Sequence, residues 1–489
     1  MKRHLTACFI VCLALQAIAA DKREPIESDE QWYVLRMLDQ PVGWATIRVS
    51  EKDNVISSGM DMSMAVKRGP VELKIKVESA FRESSNGKPL SALTKQTLGA
   101  LTIEHHLTFT DTGIEQVTRQ GGRELKKTLP LPKGEWLPPT AAGLFVEEQL
   151  AKGMKEIKVR TFEATSLMSA FDMTIQIGQQ SVIEVFGRQV PAIEQTIVTS
   201  ILPGMKTTRY VDDKGRMLKE IQTIAGMKLV MEASDKELAM AQVSPPELLV
   251  SSLINADRTI PNARQTRKGK YRLTVTEGEF PEVPSTAVQS VQKVADNAVL
   301  VSIDLDAPKP ASGTKSPQDK PEIVRSVMID GEDPKIRELA KQALGKDWDG
   351  SVPDRAEKLR RFAFEYIDEK DMSVGLASAS EVAQTKTGDC TEHGVFLAAL
   401  LQANGIPSRV ASGLIYVDRF MQRRHVFGYH MWTQAWIDGR WVDLDGTFPP
   451  QRSFDATHIT LNVTTMDDGA TNDMLNMIPL FGKLQIKVE

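Results

Sequence analysis

The sequence predicts an α+β protein in two parts: a mostly antiparallel β N-terminal region, then a C-terminal domain in which helices are followed by strands. Three observations carry this. Apolar and polar residues alternate with period two, between hairpin signals, over about 31–244. A stretch rich in Pro, Ser and Lys fills 307–325 and reads as an exposed linker. Helical periodicity begins after it. At roughly 100–200 residues per domain, 489 residues suit two to four domains. Hydrophobic residues at 41% and charged residues at 25% exclude wholesale disorder, a collagen-like fibre and a polytopic membrane protein. Lys and Arg number 60 against 64 Asp and Glu, so no basic field invites nucleic acid.

The first element is 1–20, which reads as a secretory signal peptide. Lys2, Arg3 and His4 are its basic start, 5–18 its apolar stretch, and Ala17-Ile18-Ala19 its small-x-small cleavage pattern. The apolar run is shorter than the roughly 20 residues a spanning helix needs. Only seven residues precede Cys8, too few for a lipoprotein signal. The expected mature chain is therefore exported, periplasmic or secreted, with no membrane span. Cleavage removes Cys8 and Cys12 and leaves Cys390 as the lone thiol, with no disulfide partner.

The second element, 21–265, is the antiparallel β-rich domain. Val71 to Val77 alternates cleanly, Asp212-Asp213-Lys214-Gly215 separates two strands, and Gln120-Gly121-Gly122 marks another turn. One helix is expected near 140–152. The pattern loosely resembles the curved sheets of bacterial periplasmic carrier proteins, so a docking role toward an envelope partner is plausible for it. His105 and His106 are adjacent on a strand, face opposite ways and suggest no chemistry. A short β segment, 266–306, carries strands at 271–275 and 298–303. The linker 307–325 follows, then a domain from 326 to 489. Its first helices run from Asp333-Pro334 to about Leu344 and from about Pro353 to Asp368.

Chemistry concentrates in Thr387-Gly388-Asp389-Cys390-Thr391-Glu392-His393, which opens an apolar helix stopped by Asn404-Gly405-Ile406-Pro407. Asp389 and Glu392 form an N-cap-plus-three pair, so Cys390 is the first helical residue. The positive end of a helix favours a thiolate there and supplies a backbone N–H for an oxyanion. Residues 408–418 read as a strand and 419–424 as a polar, basic stretch. Asp438-Gly439 is a two-residue hairpin signal. With that turn Ile437 pairs with Arg440, and His430 and Asp445 become diagonal neighbours on one face. Asp445 would then orient His430, and His430 would take the proton of Cys390.

Gly-Asp-Cys-Thr-Glu-His, Gly-Ile-Pro-Ser-Arg, Tyr-His-Met-Trp and Trp-Val-Asp-Leu-Asp-Gly-Thr together resemble the transglutaminase-like superfamily, in its bacterial exported branch. Asp455-Ala-Thr-His458-Ile resembles a run that follows the last strand there. The resemblance covers about 326–489. It implies a papain-like fold, with Cys390 as nucleophile, His430 as base and Asp445 as third member. It also implies acyl transfer through a thioester, to water or to an amine, on a protein or peptide substrate. Gly446 and Gln434 depart from the family, which often has Pro and an acidic residue there.

Several other readings compete. Cys390, His393, His425 and His430 as zinc ligands fit no compact spacing. No calcium loop is present and no cofactor is expected. His393 is read as structural, Gln384 as a possible oxyanion donor, and Trp432, Trp436 and Trp441 as core, with Trp432 sharing the His430 face. His458 is read as packing. The expected activity is cleavage or exchange of amide bonds in a peptide, an isopeptide or a glutamine side chain. The alternative is a non-catalytic module that binds a peptide or envelope component in the same cleft.

Overall fold

The computed structural model describes residues 28–489 except 69–70, 100, 121, 165–168, 202–204, 225–226, 242, 248–251, 309–319, 346–347, 371–376, 421, 453, 467–479 and 481. The expected signal peptide, Gly121 and most of the expected linker lie outside the described residues. The chain divides into two compact units between Glu247 and Leu248.

The first unit is one sheet of fourteen strands: β1 (Asp29–Met37), β2 (Gln40–Lys52), β3 (Val55–Arg68), β4 (Val71–Ser84), β5 (Pro89–Leu98), β6 (Leu101–Phe109), β7 (Ile114–Gln120), β8 (Arg123–Leu129), β9 (Glu156–Glu163), β10 (Ser169–Val185), β11 (Arg188–Thr199), β12 (Lys206–Val211), β13 (Met217–Ile224) and β14 (Met227–Ser234). Two antiparallel meanders join where β1 pairs with β14, from Trp32 against Ser234 to Met37 against Leu229. Alternation does the work: every second residue of β7 and β12 is buried.

Helix α1 (Pro139–Ala151) connects β8 to β9. Its Ala142 and Val146 pack on Ile157, Val159, Phe171, Met173, Ile175 and Ile197. The sheet curls enough that Phe162 of β9 joins Phe81, Ala92, Leu107 and Ile114 of β4 to β7 in a second core. The edge strand β8 reads RELKKTL, whose charges discourage further pairing. A single turn, α2 (Lys236–Ala239), follows β14. His105 is buried against Thr118 Oγ1 at 2.9 Å, while His106 sits half-exposed beside Glu104, so the two do face opposite ways.

The second unit contains β15 (Ile254–Asn255), β16 (Lys268–Val275), β17 (Gln289–Ala295), β18 (Ala298–Asp304), α3 (Pro334–Leu344), α4 (Val352–Tyr366), α5 (Ala379–Thr385), α6 (Cys390–Ala403), β19 (Ser408–Phe420), β20 (Arg423–Ile437), β21 (Arg440–Leu444), β22 (His458–Thr464) and β23 (Leu484–Val488). One sheet has the order β15-β20-β19-β22, with β21 also on β20. The other runs β17-β18-β16-β23.

The domain boundary expected at 265/266 therefore differs from the observed division. The strands of 266–306 form one sheet with β23, in which β16 pairs with it from Tyr271 against Val488 to Val275 against Leu484. They also hold β22: Gln289 donates to Thr460 O at 2.8 Å and accepts from Thr460 N at 2.9 Å. Such pairing between distant segments leaves no local trace in sequence. The polar stretch 419–424 turns out to be the ends of the β19–β20 hairpin, with Phe420 opposite Arg423.

Helix α6 is the centre of this unit. It is buried all round from Glu392 to Gln402, lies on β19 and β20, and is flanked by α3, α4 and α5. Both outer helices start as their sequences predict. Asp333 Oδ1 accepts from Lys335 N and Ile336 N, and Ser351 accepts from Asp354 N, with a proline in each first turn. Among the described residues no helix is long and apolar enough to cross a membrane.

Candidate active site

The N-terminus of α6 places the thiol. Asp389 caps it by accepting from Thr391 N at 3.0 Å, and Glu392 reaches back to Asp389 N at 2.9 Å. The other oxygen of Glu392 accepts from Ala377 N at 2.9 Å. Burial and the neighbouring Asp389 carboxylate hold Glu392 well above the usual carboxylate range. Gly388 is needed here, because a Cβ on it would lie 2.2 Å from Glu392 Cβ. Cys390 is the first helical residue and is half-buried.

The β20–β21 hairpin places the imidazole and the carboxylate. Asp438 and Gly439 both have positive φ, 50° and 77°, as a two-residue primed turn requires. The register runs from Ile437 opposite Arg440 to Thr433 opposite Leu444. Asp445 follows directly, and its Oδ2 lies 2.8 Å from His430 Nε2. Nε2 thus serves Asp445, and Cys390 lies near enough to the imidazole to help hold its proton. Burial pulls this imidazole down, but the Asp445 carboxylate and Cys390 outweigh it and push it up to about 10. Burial would raise Asp445; His430 and His458 instead hold it well below the usual carboxylate range.

Asp445 is held on every side. Its Oδ1 accepts from Thr447 N at 2.8 Å and Thr447 Oγ1 at 2.6 Å. Its backbone carbonyl accepts from Arg360 Nη1 at 3.1 Å, and the same nitrogen reaches Phe448 O at 2.7 Å. The buried guanidinium of Arg360, paired with Glu357, thus clamps the turn after β21 from α4. Nothing in the sequence reading pointed to Arg360.

His458 is a further residue of the cluster. Its Nε2 lies 3.2 Å from Asp445 Oδ2, so its side chain does more than pack. The available signal was a repeated Asp-x-Thr, at Asp445-Gly446-Thr447 and Asp455-Ala456-Thr457. In both, the carboxylate accepts from the threonine N and Oγ1.

His393 is buried with Nδ1 2.7 Å from Asp389 O, and burial lowers it toward the neutral form. His425 lies against Tyr416 OH at 2.9 Å, apart from this cluster. Gln384 sits exposed on α5. Trp432 is fully buried and stacks 6.1 Å from the His430 ring. Among the described residues, His430, Asp445 and His458 offer three ligand atoms within 4.8 Å of one another. A metal there would have to displace the N–H groups of both imidazoles, which the carboxylates bias toward the protonated form.

A thiol at a helix start, an imidazole beside it and a carboxylate behind that imidazole lie on one helix and one hairpin. Residues 337–446 match the transglutaminase-like superfamily. The match lies in the C-terminal third of the chain and spans α3 to the turn holding Asp445. In this transglutaminase-like domain Gly446 is not forced by space. A Cβ on it would meet His393 O at 3.4 Å, an ordinary contact. No curated protein matches the chain. Several solved structures are similar at low identity, among them two that each cover less than half of this chain. A beta-barrel-like protein of a domain of unknown function from Brucella abortus is 10% identical, covering 44% of this chain and 98% of that one, with a TM-score of 0.34. A "putative cysteine protease" from Cytophaga hutchinsonii is 14% identical, covering 45% of this chain and 85% of that one, with a TM-score of 0.29.

Proposed function

We propose that this protein is an exported, cysteine-dependent acyl-transfer enzyme that cleaves amide bonds through a thioester, with Cys390 as nucleophile, His430 as acid and base, and Asp445 as the group that orients His430. The observation that carries the reading is His430 itself, which lies 2.8 Å from Asp445 and is raised by the nearby Cys390 as well as by that carboxylate. A histidine pushed up to about 10 is an imidazolium at neutral pH. An imidazolium beside a thiol favours the thiolate.

The thiolate attacks the amide carbonyl, and the oxyanion forms beside the N-terminal backbone of α6. His430 gives its proton to the leaving amine as the C–N bond breaks, leaving the acyl group on Sγ. Water then attacks the thioester, His430 takes its proton, and the C–S bond breaks to restore the thiolate–imidazolium pair. Water is the simpler acceptor, because it is abundant. A transglutaminase-like domain fits a protein or peptide substrate. Periplasm or medium is the proposed compartment.

The test is turnover of a peptide-amide library, with glutamine-containing and isopeptide members, followed by mass spectrometry of the quenched enzyme. We expect an acyl adduct on the Cys390 peptide and no turnover by Cys390→Ala. Saturable peptide binding with no adduct and no product would instead make the cleft a binding module.

A further inference from the structure

The hydrogen-bond chain does not end at Asp445. His458 Nε2 meets the same Oδ2 that His430 uses, at 3.2 Å against 2.8 Å. Its Nδ1 lies 3.0 Å from the backbone carbonyl of Asp455 and 3.5 Å from Asp455 Oδ1. Asp455 is fixed in turn by Thr457 N, Thr457 Oγ1 and Arg264 Nη1, the last at 2.9 Å. The ring is fully buried, with Phe454 stacked 4.1 Å away and Trp432 edge-on at 5.2 Å.

Both ring nitrogens of His458 face groups that only accept: a carbonyl on one side, a carboxylate on the other. Each nitrogen must carry a proton, so the ring is an imidazolium. The resulting order alternates in sign from His430 through Asp445, His458 and Asp455 to Arg264. A cation on the far side of Asp445 keeps that carboxylate ionised and its Oδ2 directed at His430. We propose that His458 is a positioning residue of this site, held cationic between Asp455 and Asp445 so that it fixes the Asp445 carboxylate against His430. Arg264, Asp455 and His458 all lie outside residues 337–446. The inference rests on the catalytic reading above only for its consequence, not for its geometry.

The experiment uses the full chain labelled with 15N-histidine. At pH 8, above the ordinary histidine value of about 6.5, His458 is expected to show two proton-bearing ring nitrogens. A histidine that merely packs would show one bare nitrogen, and that result overturns the proposal. In His458→Gln, which keeps a neutral donor, the His430 Nε2–H resonance should shift. In His458→Phe, which keeps the ring packing, alkylation at the Cys390 peptide at pH 7 should fall about tenfold or more. A folded His458→Phe that alkylates at the wild-type rate, with the His430 resonance unmoved in His458→Gln, also overturns it. Should either variant fail to fold, Asp455→Asn loosens the outer anchor and is expected to shift the His430 resonance in the same direction by less. If wild-type Cys390 reacts no faster than in His430→Ala, the catalytic reading fails, while the two-nitrogen result still decides the role of His458.

Discussion

At the scale of single residues the site is a set of buried charges that each need a specific partner. Asp443 shows how tightly this is drawn. Its Oδ1 accepts from Trp432 Nε1 at 2.8 Å and Gln434 Nε2 at 2.7 Å, and Gln434 accepts in turn from Arg409 Nε at 2.8 Å. Burial raises Asp443 despite those donors. This network seats the Trp432 ring on which His430 stacks. It also accounts for the absence of an acid at 434, which would place a second carboxylate against Asp443. Gln434→Glu is expected to destabilise the protein by about 3 kcal/mol at neutral pH. The loss should shrink as pH falls and one of the two acids takes a proton that the pair can share. Denaturant melts of wild type and variant at pH 5 and pH 7.5 measure this. Cys390, His430 and Asp445 were legible in the sequence because each sits in a short ordered block. Arg360 was not, since an arginine on an amphipathic helix reads as solvated until the fold buries it.

At the scale of elements, α1 shows a helix end satisfied from a distance. Pro138 at its N-cap has no side chain to offer. Glu83 of β4 supplies the acceptor instead, taking Thr140 N at 3.2 Å and Ala141 N at 2.8 Å. Burial raises Glu83 to about 7, the two N–H groups opposing it. An acid raised on folding stabilises the fold fully below its unfolded value, near 4.5. That contribution disappears as pH rises through about 7. We therefore expect stability to fall by about 2–3 kcal/mol between pH 4.5 and pH 7.5 on account of this group. Glu83→Gln should flatten that part of the profile, as thermal melts across the range would show. The Asp438-Gly439 hairpin was legible because both positions need positive φ and the residue types allow it. The cap on α1 was not, because its partner lies 57 residues away.

At the scale of the whole molecule, the alternating N-terminal sheet and the helix-then-strand C-terminal unit follow from periodicity alone. What periodicity could not show is that 248–306 and the last strand complete the unit that carries the thiol. Ile254 pairs with Phe427 on the strand bearing His430, and Arg264 anchors Asp455. The central claim is that His430 and Cys390 act as one ionised pair. The most direct test is the rate of iodoacetamide alkylation at the Cys390 peptide from pH 5 to pH 10, in wild type, His430→Ala and Asp445→Ala. The account predicts fast, nearly pH-independent labelling from pH 6 to pH 8 in wild type. In His430→Ala the rate should instead climb with pH as for an ordinary thiol, whose reference value is about 8.5, with Asp445→Ala between the two. Three superimposable thiol-like profiles, or a folded wild type that does not label at all, would contradict it.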